Sequence, residues 1–343
     1  MFFFESFYYF YSLKTKLFYN EMKHIRLIFS AILLSLVVPC GYAQTRQDSL
    51  AIAHAQWHTD TLQHGAVCMY TNIHVFDSPQ QISIIKYDPK KYKTQIVQAP
   101  QMTMTSHLAK ENQAEAAING SYFNVKTGAP TTFIRLDGIV RGETTRAEAF
   151  RTDGAISTDK NKIKIHVFYS ITSKKLGKKY KNILAAGPLL LKNGVRQMAP
   201  TFPENTGKAT KGNAHSSDVP QGFFKRHPRA FIGITPDNQI MMVVVDGRFK
   251  KHSVGMSIDE LSYLAKQLGM RDALNLDGGG SSTLWNNKTG IVNHPYDNKK
   301  FDHEGEREVS NAILVIPNGY VCSIPFGKML INSISQNMML GND

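Results

Sequence analysis

Along residues 67–316, apolar positions either alternate with polar ones or run together in short unbroken stretches. Alternation at period two marks half-buried strands, and short apolar runs mark strands covered on both faces. The pattern predicts strands over residues 67–76, 82–87, 94–98, 115–118, 132–136, 162–166, 183–191, 230–235, 240–245, 273–276 and 311–316. Helical spacing is rarer. Residues 44–65 read as a loosely docked helix and linker, and Thr105 is placed to cap a helix over 106–113. The clearest helix covers 258–268, where Leu261, Leu264, Ala265 and Leu268 recur on one face behind Ser257, with Gly269 as the stop. Strands outnumber helices, which predicts an α+β fold: a single large domain with a mixed β-sheet core and a few packed helices. Residues 197–228 break the pattern with Pro200, Pro203, Gly207, Gly212, Pro220 and Gly222. A loop this long in a compact domain is usually functional or disordered, and a lid is one reading.

The amino-terminal pattern is of another kind. A basic stretch, residues 22–26, leads into an apolar run over 27–38 that is short for a bilayer span. Gly41, Tyr42 and Ala43 follow, so cleavage of a secretion signal is expected after Ala43. Residues 1–21 precede a better start at Met22 and read as upstream of the signal. Cys40 invites a lipid anchor, but Pro39 before it fits a lipobox poorly. No later apolar run is long enough for a transmembrane helix. The expected product is exported, to a periplasm, a cell surface or the medium. The chain then divides into an upstream segment and signal (1–43), a helix, linker and first strand (44–79), a main domain (80–317) and a tail (318–343).

Charge changes the picture in one respect. The chain carries a formal charge of +13. Much of the excess is local, at Lys174, Lys175, Lys178, Lys179 and Lys181 and at the pairs Lys250-Lys251 and Lys299-Lys300. Such clusters are commonly solvated faces, and they also attract anionic glycans or phosphate-bearing polymers. Nucleic acid is not an expected partner of an exported chain with no recognisable binding motif. After the signal only Cys68 and Cys322 remain, which leaves both a single disulfide and two buried thiols open. No Cys/His spacing resembles a zinc site.

The candidate chemistry gathers where predicted strands end. Residues 273–276 deliver Asn275 and Asp277 into Gly278, Gly279 and Gly280, followed by Ser281 and Ser282. Three glycines present no Cβ to an approaching ligand and permit positive φ, so their N–H groups can converge on an anion. A glycine-rich turn after a buried strand would share the pattern, but polar groups on both sides favour a site. Asn119 ends another strand, Arg229 begins one, and Asp246-Gly247-Arg248 ends a fourth. Singly, Asn-Gly and Asp-Gly are ordinary turn dipeptides. Together, Asp277 and Asp246 supply paired carboxylates of the kind used in glycoside hydrolysis. Arg229 and Arg248 can hold a phosphate or carboxylate by bidentate contacts.

These residues carry a resemblance. Residues 117–123 (Ala-Ile-Asn-Gly-Ser-Tyr-Phe), 186–190 (Ala-Gly-Pro-Leu-Leu), 226–230 (Arg-His-Pro-Arg-Ala), 244–248 (Val-Val-Asp-Gly-Arg) and 275–282 (Asn-Leu-Asp-Gly-Gly-Gly-Ser-Ser) occur in an order similar to that of the phosphodiester glycosidase family. The resemblance covers residues 80–317. It departs at Ser121, where Gly or Asp is expected, and at Ala230, where Thr is common. It implies hydrolysis of a sugar-1-phosphodiester, such as a GlcNAc-α-1-phosphodiester, to free sugar and phosphomonoester. Asp277 is then the first candidate catalytic carboxylate and Asp246 the second, with retaining and inverting routes both open. Asn119, Tyr122, Arg229, Arg248, Asn275, Gly278, Gly279, Gly280, Ser281 and Ser282 would bind substrate or its phosphate. No cofactor or metal is required, although Asp246 and Asp277 together could take a divalent cation. Two other readings keep the same residues: an exported glycan-binding or exopolysaccharide-assembly protein without turnover, and an ordinary glycosidase.

Overall fold

The computed structural model describes residues 46–159, 162–168, 173–197 and 223–319. In chain order the first half contains α1 (Arg46–Ala53), β1 (His58–Thr61), β2 (Val67–Val75), β3 (Ser78–Tyr87), β4 (Tyr92–Met104), α2 (Thr105–Glu111), β5 (Ala116–Asn119), β6 (Ile134–Leu136) and β7 (Ile139–Gly142). Then come β8 (Gly154–Asp159), β9 (Lys162–Val167), α3 (Ser173–Lys179), β10 (Asn182–Ala186), β11 (Leu189–Lys192) and β12 (Val195–Arg196). The chain continues with β13 (Arg229–Ile234), β14 (Ile240–Val245), α4 (Ile258–Gln267), β15 (Asp272–Asn275), β16 (Leu284–Asn286), β17 (Gly290–Ile291) and β18 (Glu308–Pro317).

The fold is α+β. An eight-stranded sheet, β1-β2-β3-β14-β13-β15-β11-β12, faces two five-stranded sheets, β7-β6-β10-β8-β9 and β17-β16-β5-β18-β4. Every described pairing is antiparallel, a narrower arrangement than the mixed core expected. Ile85, Ile232, Met242 and Leu274 of the large sheet meet Ile118, Ile134, Ile156 and Ile313 of the small ones in the central core. The helices close the outer faces. α4 lays Ile258, Leu261, Leu264 and Ala265 on Phe231, Val243 and Val245. α2 covers one small sheet through Leu108 and Ala109, and Leu176 of α3 covers the other. Central strands are thus buried on both faces, which explains the unbroken apolar run of β14.

Local chemistry sets the boundaries. Ser257 caps α4 through a capping box, its hydroxyl accepting from Glu260 N while Glu260 accepts from Ser257 N. Thr105, expected as a cap, is instead the first residue of α2. The Glu306 carboxylate takes the Ser106 N–H at 2.8 Å and its hydroxyl at 2.6 Å, so a distant carboxylate satisfies that helix end. The strand expected over 183–191 is two strands in different sheets. Pro188 has no N–H for a ladder, and Asp153 captures the Leu189 N–H at 2.6 Å. β3 begins at Ser78 because Phe76 and Asp77, both at positive φ, close a two-residue hairpin with β2.

This topology brings the candidate residues to one edge. β13 is antiparallel to β14 and β15, with Arg229 opposite Val245 and Phe231 opposite Asn275. The start of β13 and the ends of β14 and β15 therefore lie side by side. The end of β5 joins them, since Gly120 O accepts the Asp277 N–H at 3.0 Å.

Candidate functional site

The Asp277 loop is held from both sheets. Asn119 Nδ2 donates to Asp277 O at 2.8 Å, and Asn119 Oδ1 accepts from Thr283 N at 3.1 Å. Asn275 Nδ2 donates to Gly187 O at 2.7 Å and to the Tyr122 hydroxyl at 3.2 Å. Tyr122 in turn donates to Gly187 O. These three side chains are buried, and their hydrogen bonds hold the loop from below. Ser121, the departure noted in the sequence, is buried too; its hydroxyl donates to Ala185 O at 2.6 Å.

Each glycine of the loop faces a different wall. A Cβ on Gly278 would lie 2.8 Å from Pro228 O. Gly279 has φ +63°, and a Cβ there would lie 3.2 Å from Arg248 Nη2. A Cβ on Gly280 would collide with Asp297 and Arg307. The Gly279 N–H donates to Pro228 O at 2.8 Å, while Ser281 and Ser282 N–H close the turn onto Gly278 O and Gly279 O. The anion nest expected of this loop therefore narrows to the N–H groups of Gly278 and Gly280. Ser282 Oγ and Thr283 Oγ1 are buried with no hydrogen-bond partner among the described residues.

The two carboxylates sit in different surroundings. Asp277 is partly exposed. Burial of its carboxyl raises its pKa above the ordinary value; the nearby Ser281 hydroxyl, short of full hydrogen-bond geometry, and the charges of Arg151 and Arg307 oppose that rise. Asp246 is only 1% exposed. It accepts Asn293 Nδ2 at 3.0 Å, His294 N at 3.0 Å, and His294 Nδ1 at 2.8 Å. A carboxylate only accepts, so the ring proton sits on Nδ1 and Nε2 is the basic nitrogen. Asn293 also donates to Ser282 O at 3.0 Å, which ties Asp246 to the glycine loop. A cation shared by Asp246 and Asp277 would have to displace these donors. Asp246 and Asp277 leave strands two places apart in the sheet, so their backbones are separated by roughly 10 Å.

Guanidinium groups surround the loop. Arg151 lies over the Tyr122 ring, 3.8 Å from its centroid, and pairs with Glu148. Burial works against its charge, but Tyr122, Glu148 and Asp277 outweigh burial and raise its pKa. Arg229 donates to Met256 O at 2.8 Å and Lys225 O at 3.0 Å. Burial lowers its pKa to about 10; Tyr122 opposes that, while Arg151 and Arg248 add to it. Arg248, exposed and at φ +68°, reaches His227 Nδ1 at 3.5 Å and sits over Tyr296. Burial and neighbouring cations, Arg229 first, lower the His227 pKa to about 4. Arg307 pairs with Asp297, Nε to Oδ2 at 2.8 Å.

The structure thus gathers Asp277, Gly278–Ser282, Arg229, Arg248, Tyr122, Asn119 and Asn275 at one edge. It turns Asp246 toward residues 293 and 294. The possible lid falls largely on residues 198–222, and the signal and Cys322 fall on residues 1–45 and 320–343; all lie outside the described residues. Cys68 is buried, and burial pushes its thiol up to about 11. Sequence reasoning missed Arg151, Glu148 and the segment between β17 and β18. That segment stacks His294 on Phe301, with centroids 3.7 Å apart, and His294 on His303 at 4.5 Å, and His252 covers the other residue of the stack, Phe301, at 4.2 Å. Its signal was a long loop rich in aromatic and imidazole side chains.

Among the described residues, no helix is long and apolar enough to cross a membrane. The fold is similar to three solved structures. The first is a hypothetical protein from Synechocystis, with TM-score 0.60 and 14% identity over 77% of this chain; this chain spans 64% of that protein's length. Another is the catalytic domain of zebrafish N-acetylglucosamine-1-phosphodiester α-N-acetylglucosaminidase, auto-inhibited by its pro-peptide, with TM-score 0.54 and 16% identity over 77% of this chain and 83% of that one. A third, from Burkholderia pseudomallei, gives TM-score 0.51 and 15% identity over 70% and 74% of the two chains. At these identities the likeness carries the fold alone. No curated protein matches the sequence. The sequence profile of the phosphodiester glycosidases, however, matches residues 112–316, which hold the ends of β5, β14 and β15 and the start of β13, and the chain belongs to that family.

Proposed function

We propose that this protein is an exported glycosidase that hydrolyses sugar-1-phosphodiesters, with a GlcNAc-α-1-phosphodiester as reference substrate. One observation carries the reading. A partly exposed carboxylate of raised pKa stands on a loop without Cβ atoms, with guanidinium groups around it. A raised pKa suits a carboxyl that exchanges a proton during reaction. The phosphate needs charge stabilisation as it leaves more than it needs a strong acid, and arginines and N–H groups provide that.

In this scheme Arg248 and the N–H groups of Gly278 and Gly280 hold the phosphate. Water, deprotonated by Asp277, attacks the anomeric carbon; the bond from that carbon to the phosphate oxygen breaks, and its electron pair leaves with the phosphomonoester. The alternative route has Asp277 attack first and water release the sugar second. Asp246 orients His294 and does not itself react. The scheme requires no metal.

The binding-protein reading has its own support: Arg151 and Arg307 already have carboxylate partners in Glu148 and Asp297. Incubating protein that lacks residues 1–43 with a GlcNAc-α-1-phosphodiester separates the two. Equal release of GlcNAc and phosphomonoester supports hydrolysis. Binding with the substrate left intact supports the second reading.

A further inference from the structure

Away from this edge, β8 and β9 form the outer side of the small sheet that α3 covers. Their register sets Ser157 opposite Lys164 and Asp159 opposite Lys162. Residues opposite one another in a ladder share a face, as do alternate residues of one strand. Lys162, Lys164 and His166 therefore project on the same side as Ser157 and Asp159. Lys179, at the end of α3, and Tyr180 close that side. The result is a cleft of about 210 Å³ lined by Ser157, Asp159, Lys162, Lys164, Lys179 and Tyr180.

Among the described residues, three ammonium groups against one carboxylate leave the cleft positive. His166 registers that field. Its Nε2 is 2.7 Å from Ser157 Oγ, and its ring leans on Tyr180 at 5.0 Å. Burial lowers its pKa to about 4, and Lys192, Lys164 and Lys179 add to the effect against Asp272. At neutral pH the imidazole is uncharged, so it holds the Ser157 hydroxyl without adding to the charge.

We propose that this cleft is a second anion site, which seats the phosphate of a phosphorylated sugar. The donor set favours phosphate over carboxylate. Lysines act as independent point charges and can each meet a different oxygen of a tetrahedral group, whereas the planar fork that matches a carboxylate belongs to arginine, and none lines the cleft among the described residues. Ser157 and Tyr180 bring hydroxyls to the same space. From Gly154, whose surroundings include Leu274 of β15, β8 runs on the order of 15 Å to Asp159. The cleft is thus separate from the Asp277 loop. Phosphate binding in the cleft does not depend on whether the loop hydrolyses anything.

The test is calorimetric titration of the full chain with glucose 6-phosphate at low ionic strength. An Arg248→Ala background weakens phosphate binding at the loop. In that background, Lys162→Gln, Lys164→Gln and Lys179→Gln together are expected to weaken binding by about tenfold or more. Glucose should not bind, and glucuronic acid should bind more weakly than glucose 6-phosphate. The three lysines are surface groups, and an unchanged melting temperature confirms that the variant is folded. Binding unchanged by the lysine substitutions, or no phosphate-dependent binding in the background protein, overturns the proposal.

Discussion

Asp246→Ala tests whether this carboxylate orients or reacts. Its two oxygens receive three donors: Asn293 Nδ2 at 3.0 Å, His294 N at 3.0 Å and His294 Nδ1 at 2.8 Å. Asn293 keeps Ser282 O when the carboxylate is removed. The His294 N–H loses its acceptor in a buried place, and the ring loses the group that sets its tautomer. A stranded buried donor costs about 1–3 kcal/mol, and a hydrogen bond to a charged group contributes about 1.5–3 kcal/mol. The sum falls near the ~3–5 kcal/mol seen when one side of a buried pair is removed. In a fold of this size that lowers the melting temperature by roughly 10 °C. Asp246→Asn keeps one acceptor and should cost about half as much. Urea unfolding followed by Trp57 and Trp285 fluorescence measures both variants. In turnover, Asp246→Asn should lower kcat more than it changes KM, as expected of a residue that positions its neighbours through hydrogen bonds. An alanine variant within about 1 kcal/mol of the parent would refute the buried hydrogen-bond account.

Three further outcomes follow from the same structure. Burial holds the Asp277 pKa above its unfolded value, so its contribution to stability is fully present below the ordinary carboxylate range and is lost as pH rises through the folded value; Asp277→Asn should abolish turnover yet raise the melting temperature at neutral pH, with the gain closing in acid, and a lower melting temperature at neutral pH would contradict this. Gly279→Val forces a β-branched residue to φ +63° against Arg248, at a cost of about 1–3 kcal/mol; it should lose phosphate affinity and melt earlier, and a variant unchanged in both measurements would show that the loop geometry is not needed. Burial holds the His166 pKa down at about 4, below its ordinary value of 6.5, so the unfolded chain takes up the proton first and stability falls as pH drops through that window; His166→Gln should flatten part of the fall in a series of thermal melts, and an identical pH profile would remove His166 from the account.

The legible parts of this fold share a physical reason. Strands buried on both faces, such as β14, must be apolar throughout, and α4 must present one apolar stripe and a cap. The end of β15 was legible because the three glycines after Asp277 bring no side chains to a sheet face. β8 was missed because its residues, Gly-Ala-Ile-Ser-Thr-Asp, are small or polar apart from Ile156, although all but the last are buried. The break at Pro188 looked like a continuous strand because apolar residues flank it on both sides. Asn119 and Asn275 read as ligand contacts, yet their amide N–H groups donate to backbone carbonyls, a distinction that depends on partners distant in sequence. The carboxylate of Asp246 and its holder His294 are 48 residues apart, a pairing that no local pattern encodes.

The central claim is cleavage at the anomeric carbon, and hydrolysis in heavy-oxygen water tests it directly. A GlcNAc-α-1-phosphodiester is turned over by the protein lacking residues 1–43, and the phosphomonoester is analysed by mass. Attack at the anomeric carbon predicts a phosphomonoester without heavy oxygen, and no product when Asp277→Asn replaces the parent. Heavy oxygen in the phosphate would mean that the bond to phosphorus breaks, and would contradict the account.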